Sequence, residues 1–214
     1  SNGLPFGTTE QANITLSIAP TNPDVLYASV VGSNDKLKDI YKTTNGGDNW
    51  TALNCAPEVE TTSQDHWFGG VRVDPNDEDI VYWIGFICSR SFDGGNTWEL
   101  FAADAHVDCH ALYVHPTDEN FKIMGSDGGL FFTYDNFDDY TIDQNIPVTQ
   151  LYTLDVFPTD TSLLIGGAQD NGSFIRNPDN FWSFANWGDG VSVKFIPVDD
   201  NSYYANYQYG GYFG

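Results

Sequence analysis

One phrase recurs five times along the chain and limits its fold more than any other feature. An alternating apolar run ends at a proline, a polar turn rich in Asp, Asn and Thr follows, and a second β-branched or aromatic run begins about four residues later. The copies are LSIAPTNPDVLYAS (Leu16 to Ser29), VRVDPNDEDIVYWI (Val71 to Ile84), LYVHPTDENFKIMG (Leu112 to Gly125), LDVFPTDTSLLIGG (Leu154 to Gly167) and VKFIPVDDNSYYAN (Val193 to Asn206). Each reads as a β-hairpin. Their prolines, Pro20, Pro75, Pro116, Pro158 and Pro197, step by 55, 41, 42 and 39 residues, a period that matches one four-stranded propeller blade.

A second motif recurs in phase with the first. Thr43-Thr44-Asn45-Gly46-Gly47-Asp48-Asn49-Trp50 and Ser91-Phe92-Asp93-Gly94-Gly95-Asn96-Thr97-Trp98 both fit S/T-x-D/N-x-G-x-x-W. Thr133 to Tyr140 keeps the hydroxyl, Asp135 and the closing aromatic but loses the glycine, and Asn177 to Trp182 is a worn fourth copy. In such a turn an Asp or Asn side chain accepts backbone N–H groups, glycines take positive φ, and the aromatic pins the turn between outer strands. Thr43, Asn45, Gly47, Trp50, Ser91, Asp93, Gly95, Trp98, Thr133, Asp135 and Tyr140 are therefore assigned a structural task.

With these turns in view the chain resembles the BNR or Asp-box repeat proteins, the superfamily of the sortilin-type propellers and the twin-propeller xyloglucan hydrolases. DCHALYVHP (Asp108 to Pro116), SDGGLFFTYD (Ser126 to Asp135), AQDNGS (Ala168 to Ser173) and GDGVSVKFIP (Gly188 to Pro197) resemble phrases of secreted bacterial members. The resemblance implies an all-β propeller of four-stranded antiparallel blades, an extracellular or cell-surface location, and a place within a larger chain. Four to five blades are expected, a partial ring, with residues 1–214 forming a single propeller domain. No Pro/Gly/Ser linker interrupts the series.

Charge narrows the partners. Thirty acidic residues against eight basic ones give a net charge of −22, which repels nucleic-acid phosphates and anionic membrane surfaces. No apolar run is long enough to span a bilayer, and Ser1 to Glu10 lacks the basic and apolar regions of a signal peptide. A polysaccharide or a protein is the expected ligand, beside other domains of the same chain. The three cysteines, Cys55, Cys88 and Cys109, have no metal-type spacing; an odd count leaves at least one thiol unpaired, and their disulfide state stays open.

In a propeller the strand before each repeat proline is innermost, and its entry end lines the channel mouth. Eight residues before the prolines stand Ala12, Trp67, Asp108, Gln150 and Asp189; six before stand Ile14, Gly69, His110, Tyr152 and Val191. Trp67, His110, Gln150 and Tyr152, with Trp187 and the turn residues Asp127 and Asp170, form the candidate ligand-binding rim. Strand alternation would put His106, Asp108 and His110 on one side as a weak metal triad.

Three functions fit. A non-catalytic extracellular module binding a glycan or protein, or acting as a scaffold, is preferred because no nucleophile and base pair stands out. A glycoside hydrolase acting on a β-glucan-like polysaccharide would use Asp108 and Asp189 as its two carboxylates. Sialidase chemistry is disfavoured, since Arg72, Arg90 and Arg176 fall at unlike blade positions. A calcium-stabilised adhesion protein would use acidic turns such as Asp74 to Asp79 and Asp199-Asp200-Asn201. No cofactor is expected, with calcium admitted as a possible bound ion.

Overall fold

The computed structural model describes residues 2–5, 11–55, 59, 61–143, 146, 148–210 and 212–213. They form antiparallel sheets in two compact units, residues 1–143 and 144–214.

The first unit holds three sheets of four strands. The first comprises β1 (Gln11–Ile18), β2 (Leu26–Gly32), β3 (Leu37–Thr43) and β4 (Thr51–Ala52). After a single helical turn, α1 (Asp65–Phe68), come β5 (Gly70–Val73), β6 (Val81–Ile84), β7 (Ser89–Ser91) and β8 (Glu99–Leu100). The third sheet has β9 (Cys109–Val114), β10 (Lys122–Ser126), β11 (Gly129–Thr133) and β12 (Thr141–Ile142). In each sheet the strands lie side by side in sequence order, the meander that short hairpin connections favour.

The second unit repeats the pattern with β13 (Leu151–Phe157), β14 (Asp160–Ala168), β15 (Gly172–Arg176) and β16 (Trp182–Asn186), then a three-stranded sheet of β17 (Ser192–Ile196), β18 (Asp199–Asn206) and β19 (Tyr212–Phe213). No helix among the described residues is long and apolar enough to cross a membrane.

The repeated phrase is the first hairpin of every sheet, built in two ways. In the first unit the residue before each proline opens a seven-residue loop with the same pair of backbone bonds: Ala19 N–H to Val25 O and Val25 N–H to Asn22 O, then Asp74 to Ile80 and Ile80 to Asp77, then His115 to Phe121 and Phe121 to Asp118. In the second unit Phe157 pairs with Asp160, and Ile196 with Asp199. Those hairpins turn through two residues, shorter than the four-residue spacing the sequence suggests.

Period-two alternation divides each middle strand between two cores. On β6, Val81 and Trp83 enter the cluster shared with Tyr27, Val31, Ile40 and Val71, whereas Tyr82 and Ile84 enter the next cluster with Phe101, Met124, Phe131 and Phe137. All four β6 residues are buried on both faces, as a strand between two neighbouring sheets must be. In the second unit Phe157, Ile165, Val193, Phe195 and Ala205 form the matching cluster.

Neighbouring sheets are also joined by side chains that accept backbone donors. Ser17 Oγ accepts Val73 N–H at 3.0 Å, and Thr15 Oγ1 accepts Val71 N–H at 3.2 Å. Asp155 does the same work in the second unit, taking Phe195 N–H on Oδ2 and Lys194 Nζ on Oδ1, each at 2.8 Å. Ser17 and Asp155 both lie three residues before their repeat proline. Partial burial opposes charge on Asp155, but Lys194 and the Phe195 N–H prevail and hold its carboxyl below the usual value.

A buried polar network links the second and third sheets. Lys122, 1% exposed, donates to Asn136 Oδ1 at 2.6 Å and to Glu119 O, with Asp74 Oδ2 3.9 Å away. Asp74 accepts Tyr82 Oη at 3.2 Å and Asn76 N–H at 2.9 Å. Arg90 pairs with Glu99 and Asp138 and donates to Asn136 O. Burial lowers the Lys122 pKa, with Asp74 opposing it. A charge so placed persists only because its donors are used.

Candidate functional site

The S/T-x-D/N-x-G-x-x-W turns spend their carboxylates, hydroxyls and aromatics on their own backbone. Thr43 Oγ1 donates to Asn45 Oδ1 at 2.8 Å and accepts Gly47 N–H, Asn45 Oδ1 accepts Asn49 N–H, and Trp50 Nε1 donates to Gly47 O. Ser91 and Asp93 repeat this: Asp93 Oδ1 accepts Ser91 Oγ, Asn96 N–H and Thr97 N–H, Oδ2 accepts Thr97 Oγ1, and Trp98 Nε1 donates to Gly95 O. Around Thr133 and Asp135 the bonds persist without glycine, since Asn136 and Phe137 adopt φ of 63° and 70° themselves. Phe137 gains a buried position in exchange, and Tyr140 meets Phe131 edge to face. The worn copy keeps Asn177 Oδ1 accepting Phe181 N–H at 3.0 Å.

In the first unit the rim residues surround the entry to β9. His110 Nε2 lies 2.8 Å from Asp127 Oδ1, and the Phe68 ring meets the imidazole edge-on at 5.4 Å. Asp127 is carried by the turn from β10 to β11, whose Gly128 N–H bonds Ser126 Oγ. A Cβ at Gly128 would collide with His106, so glycine there lets the imidazole pack on backbone. His106 Nδ1 is 2.9 Å from Val107 O.

The alternation expected through His106, Asp108 and His110 fails. β9 starts at Cys109, and Asp108 has φ of 61°, in the left-handed region. Only His110 of the three stands in the strand. Asp108 N–H bonds Phe86 O, and its own carbonyl accepts Asp127 N–H, so the residue turns the chain between two sheets instead of continuing a strand.

Trp67 is on α1, not at a strand entry, and is 79% exposed. The turn is anchored by buried Asp65, which accepts Leu37 N–H at 2.8 Å and Thr62 N–H at 3.3 Å. Burial raises the Asp65 pKa, those bonds opposing it. Nothing in the periodicity announces this helix; the signal available was Thr62 three residues ahead of Asp65, whose hydroxyl and N–H both reach that carboxylate.

In the second unit Asp170, Gln150, Tyr152 and Asp189 come together through the backbone. Gln150 O accepts Gln169 N–H at 2.9 Å, and Asp170, with φ of 56°, donates its N–H to Asp189 Oδ1 at 2.8 Å. Asp189 N–H is in turn held by Gln208 Oε1 at 2.7 Å. Tyr152 is half exposed; desolvation, then the Asp189 and Asp170 carboxylates, push its hydroxyl pKa up.

Beside this loop lies a groove of about 470 Å³ lined by Phe184, Ala185, Asn186, Trp187, Gly188 and Tyr207. Trp187 is 81% exposed and leans on Phe184 at a ring distance of 4.4 Å. Asn186 is 4% exposed, yet neither Oδ1 nor Nδ2 has a hydrogen-bond partner. A buried amide without partners is costly, and this one is shut from solvent beside the groove. Sequence reasoning found Trp187 but not Asn186, which has no motif around it.

The acidic turns considered for calcium are internally occupied. Asp74 accepts Asn76 N–H, Asp77 accepts Asp79 N–H, Asp79 pairs with Lys42 at 2.9 Å, and Asp199 accepts Asn201 N–H and Ser202 Oγ. The Asp200 side chain is outside the described residues.

No protein-family model matches the chain, and no curated relative matches it by sequence. Solved structures do match by shape. The GH74 enzyme of Niastella koreensis aligns with 89% of this chain and 33% of its own length, at 16% identity and a TM-score of 0.53. The GH74 xyloglucanase from Xanthomonas campestris covers 98% of this chain and 45% of its own, at 10% identity and a TM-score of 0.48. YCF48 from Cyanidioschyzon merolae covers 97% and 67%, at 15% identity and a TM-score of 0.43. The chain thus spans about a third of the length of the first enzyme, and at such identity the first likeness speaks for fold alone. Its antiparallel four-stranded sheets are the blades of a β-propeller.

Proposed function

We propose that the chain is a non-catalytic β-propeller module of a larger secreted or cell-surface protein, of the Asp-box repeat type, that binds a glycan or a protein through its second unit. The observation that carries this is the unpartnered Asn186 amide at a groove lined by Trp187, Phe184 and Tyr207. An exposed indole supplies a flat apolar face, and the Asn186 amide, once its side chain turns outward, adds one donor and one acceptor for paired hydroxyls or a peptide group.

The hydrolase alternative is the second reading: it draws on Asp189, whose Oδ1 already accepts a backbone N–H, and on Asp108, which lies in a left-handed bend. The calcium alternative is weaker because Asp74, Asp77 and Asp199 satisfy their own turns.

Titration of the chain with soluble β-glucans and with candidate peptides, by calorimetry, tests the proposal. Trp187→Ala and Asn186→Ala should each weaken binding about tenfold, on the order of 1.4 kcal/mol, with no new reducing ends released from the glucan. Release of reducing ends that Asp108→Asn abolishes would replace this reading with the hydrolase. Melting that shifts with calcium would favour the adhesion protein. Unchanged affinity in both groove variants would reject the groove.

A further inference from the structure

The three cysteines are buried and unbridged in the structure, but they are not equivalent, because they occupy two different cores. Cys55 is buried in the core between the first and second sheets, where its N–H and thiol both reach Asp39 Oδ1, at 3.1 and 3.4 Å. Cys88 and Cys109 belong instead to the core between the second and third sheets, on opposite sides of its seam. Cys88 precedes β7, and Cys109 opens β9. The two segments are bound by backbone: Cys109 N–H donates to Gly85 O at 3.0 Å and Asp108 N–H to Phe86 O at 3.1 Å.

Both thiols point at one atom. Met124 Sδ is 3.8 Å from Cys88 Sγ and 3.5 Å from Cys109 Sγ, and Met124 itself is fully buried. A void of about 10 Å³, lined in part by Cys88, Ala102, Ala105, His106 and Cys109, lies beside them.

We infer that Cys88 and Cys109 are a redox pair that closes into a disulfide between the second and third blades, leaving Cys55 as the free thiol. The co-reactant is a low-molecular-weight disulfide. One cysteine thiolate attacks it, forming a mixed disulfide and expelling one thiolate; the second cysteine, having lost its proton, attacks the mixed disulfide and expels the other. Two protein thiols lose two protons and two electrons, and the small disulfide is reduced to two thiols.

The timing follows from burial. Contact with Cys109, reinforced by burial, raises the Cys88 pKa well above that of a free thiol, and only the thiolate attacks. The bridge therefore forms while the chain folds, before the seam shuts, and resists exchange afterwards. Cys55 stays inert for a related reason: burial pushes its thiol up to about 12.

The test is refolding of the whole chain in a mixed reduced and oxidised glutathione buffer, against a control refolded with a phosphine reductant. Alkylation under denaturing conditions, with intact mass and peptide mapping, should give one alkylated cysteine, Cys55, and a linked pair of peptides containing Cys88 and Cys109. The bridge closes a loop of about 20 residues across the seam, so the oxidised chain should melt about 6–12 °C above the reduced one. Cys55→Ala should leave the linked pair intact. Three alkylated cysteines after oxidative refolding, a bridge that includes Cys55, or no rise in melting temperature would each overturn the inference.

Discussion

Removing the Asp93 carboxylate tests whether the recurrent turns hold the fold or serve a ligand. Asp93→Ala deletes the acceptor for Ser91 Oγ, Asn96 N–H, Thr97 N–H and Thr97 Oγ1, at 2.7 to 2.9 Å. Asn96 and Thr97 are exposed, so their freed donors turn to water, and the loss resembles that of a helix N-cap, about 1–2 kcal/mol and not four full bonds. For a chain of this size the melting temperature should fall by about 2–8 °C. Asp93→Asn keeps an acceptor oxygen and should lose about half as much.

The same side chain dictates the pH dependence. Bonds led by Thr97 N–H hold the Asp93 carboxyl below its usual 3.8. With the folded-state pKa below the unfolded one, its contribution is complete above the unfolded value and is lost as pH falls through the folded value. Chemical denaturation from pH 7 down to pH 2 should show the gap between wild type and Asp93→Asn narrowing only below about pH 4. A gap that is absent at neutral pH, or one that persists unchanged at pH 2, would refute the assignment.

Two further variants address the contacts between sheets. Asp155→Ala removes a charge-assisted acceptor and should cost about 1.5–3 kcal/mol, whereas Ser17→Ala, at the matching position, should cost about 1 kcal/mol; urea denaturation would resolve the order, and equal costs would deny the carboxylate its role. Lys122→Met leaves the buried Asp74 without its neighbouring cation, so the variant should lose about 3 kcal/mol or more. A double-mutant cycle with Asp74→Asn should recover part of that loss, and strict additivity would mean that the two do not interact across 3.9 Å.

The blades were legible because their signals are local. A proline after an alternating run, an Asx turn and a second run specify a hairpin within one short segment, and five copies in phase leave few architectures. Even the degraded turn at Asp135 was readable, since Asn136 and Phe137 supply the left-handed residues that glycine would have given. What escaped depends on residues distant in sequence. Lys122 looks like a surface residue of β10 until Asn136 and Asp74 converge on it. Asp108 looks like the middle of a strand until the Phe86 carbonyl captures its N–H and bends the chain. Asn186 carries no motif at all; only its enclosure beside Trp187 makes its amide conspicuous.

This difference bears on function as well. In a repeat built from Asp-rich turns, carboxylates are abundant, and many satisfy backbone N–H groups, so counting acidic residues at equivalent blade positions selects structural groups first. Asp189 shows the effect: its position eight residues before Pro197 suggested catalysis, and its Oδ1 accepts the Asp170 N–H. A polar group that the fold leaves unsatisfied beside a groove is more informative, because its hydrogen-bonding capacity can pass to a ligand. The second unit's groove, with the Asn186 amide unsatisfied beside it and the Trp187 ring uncovered, is the candidate that this reasoning selects.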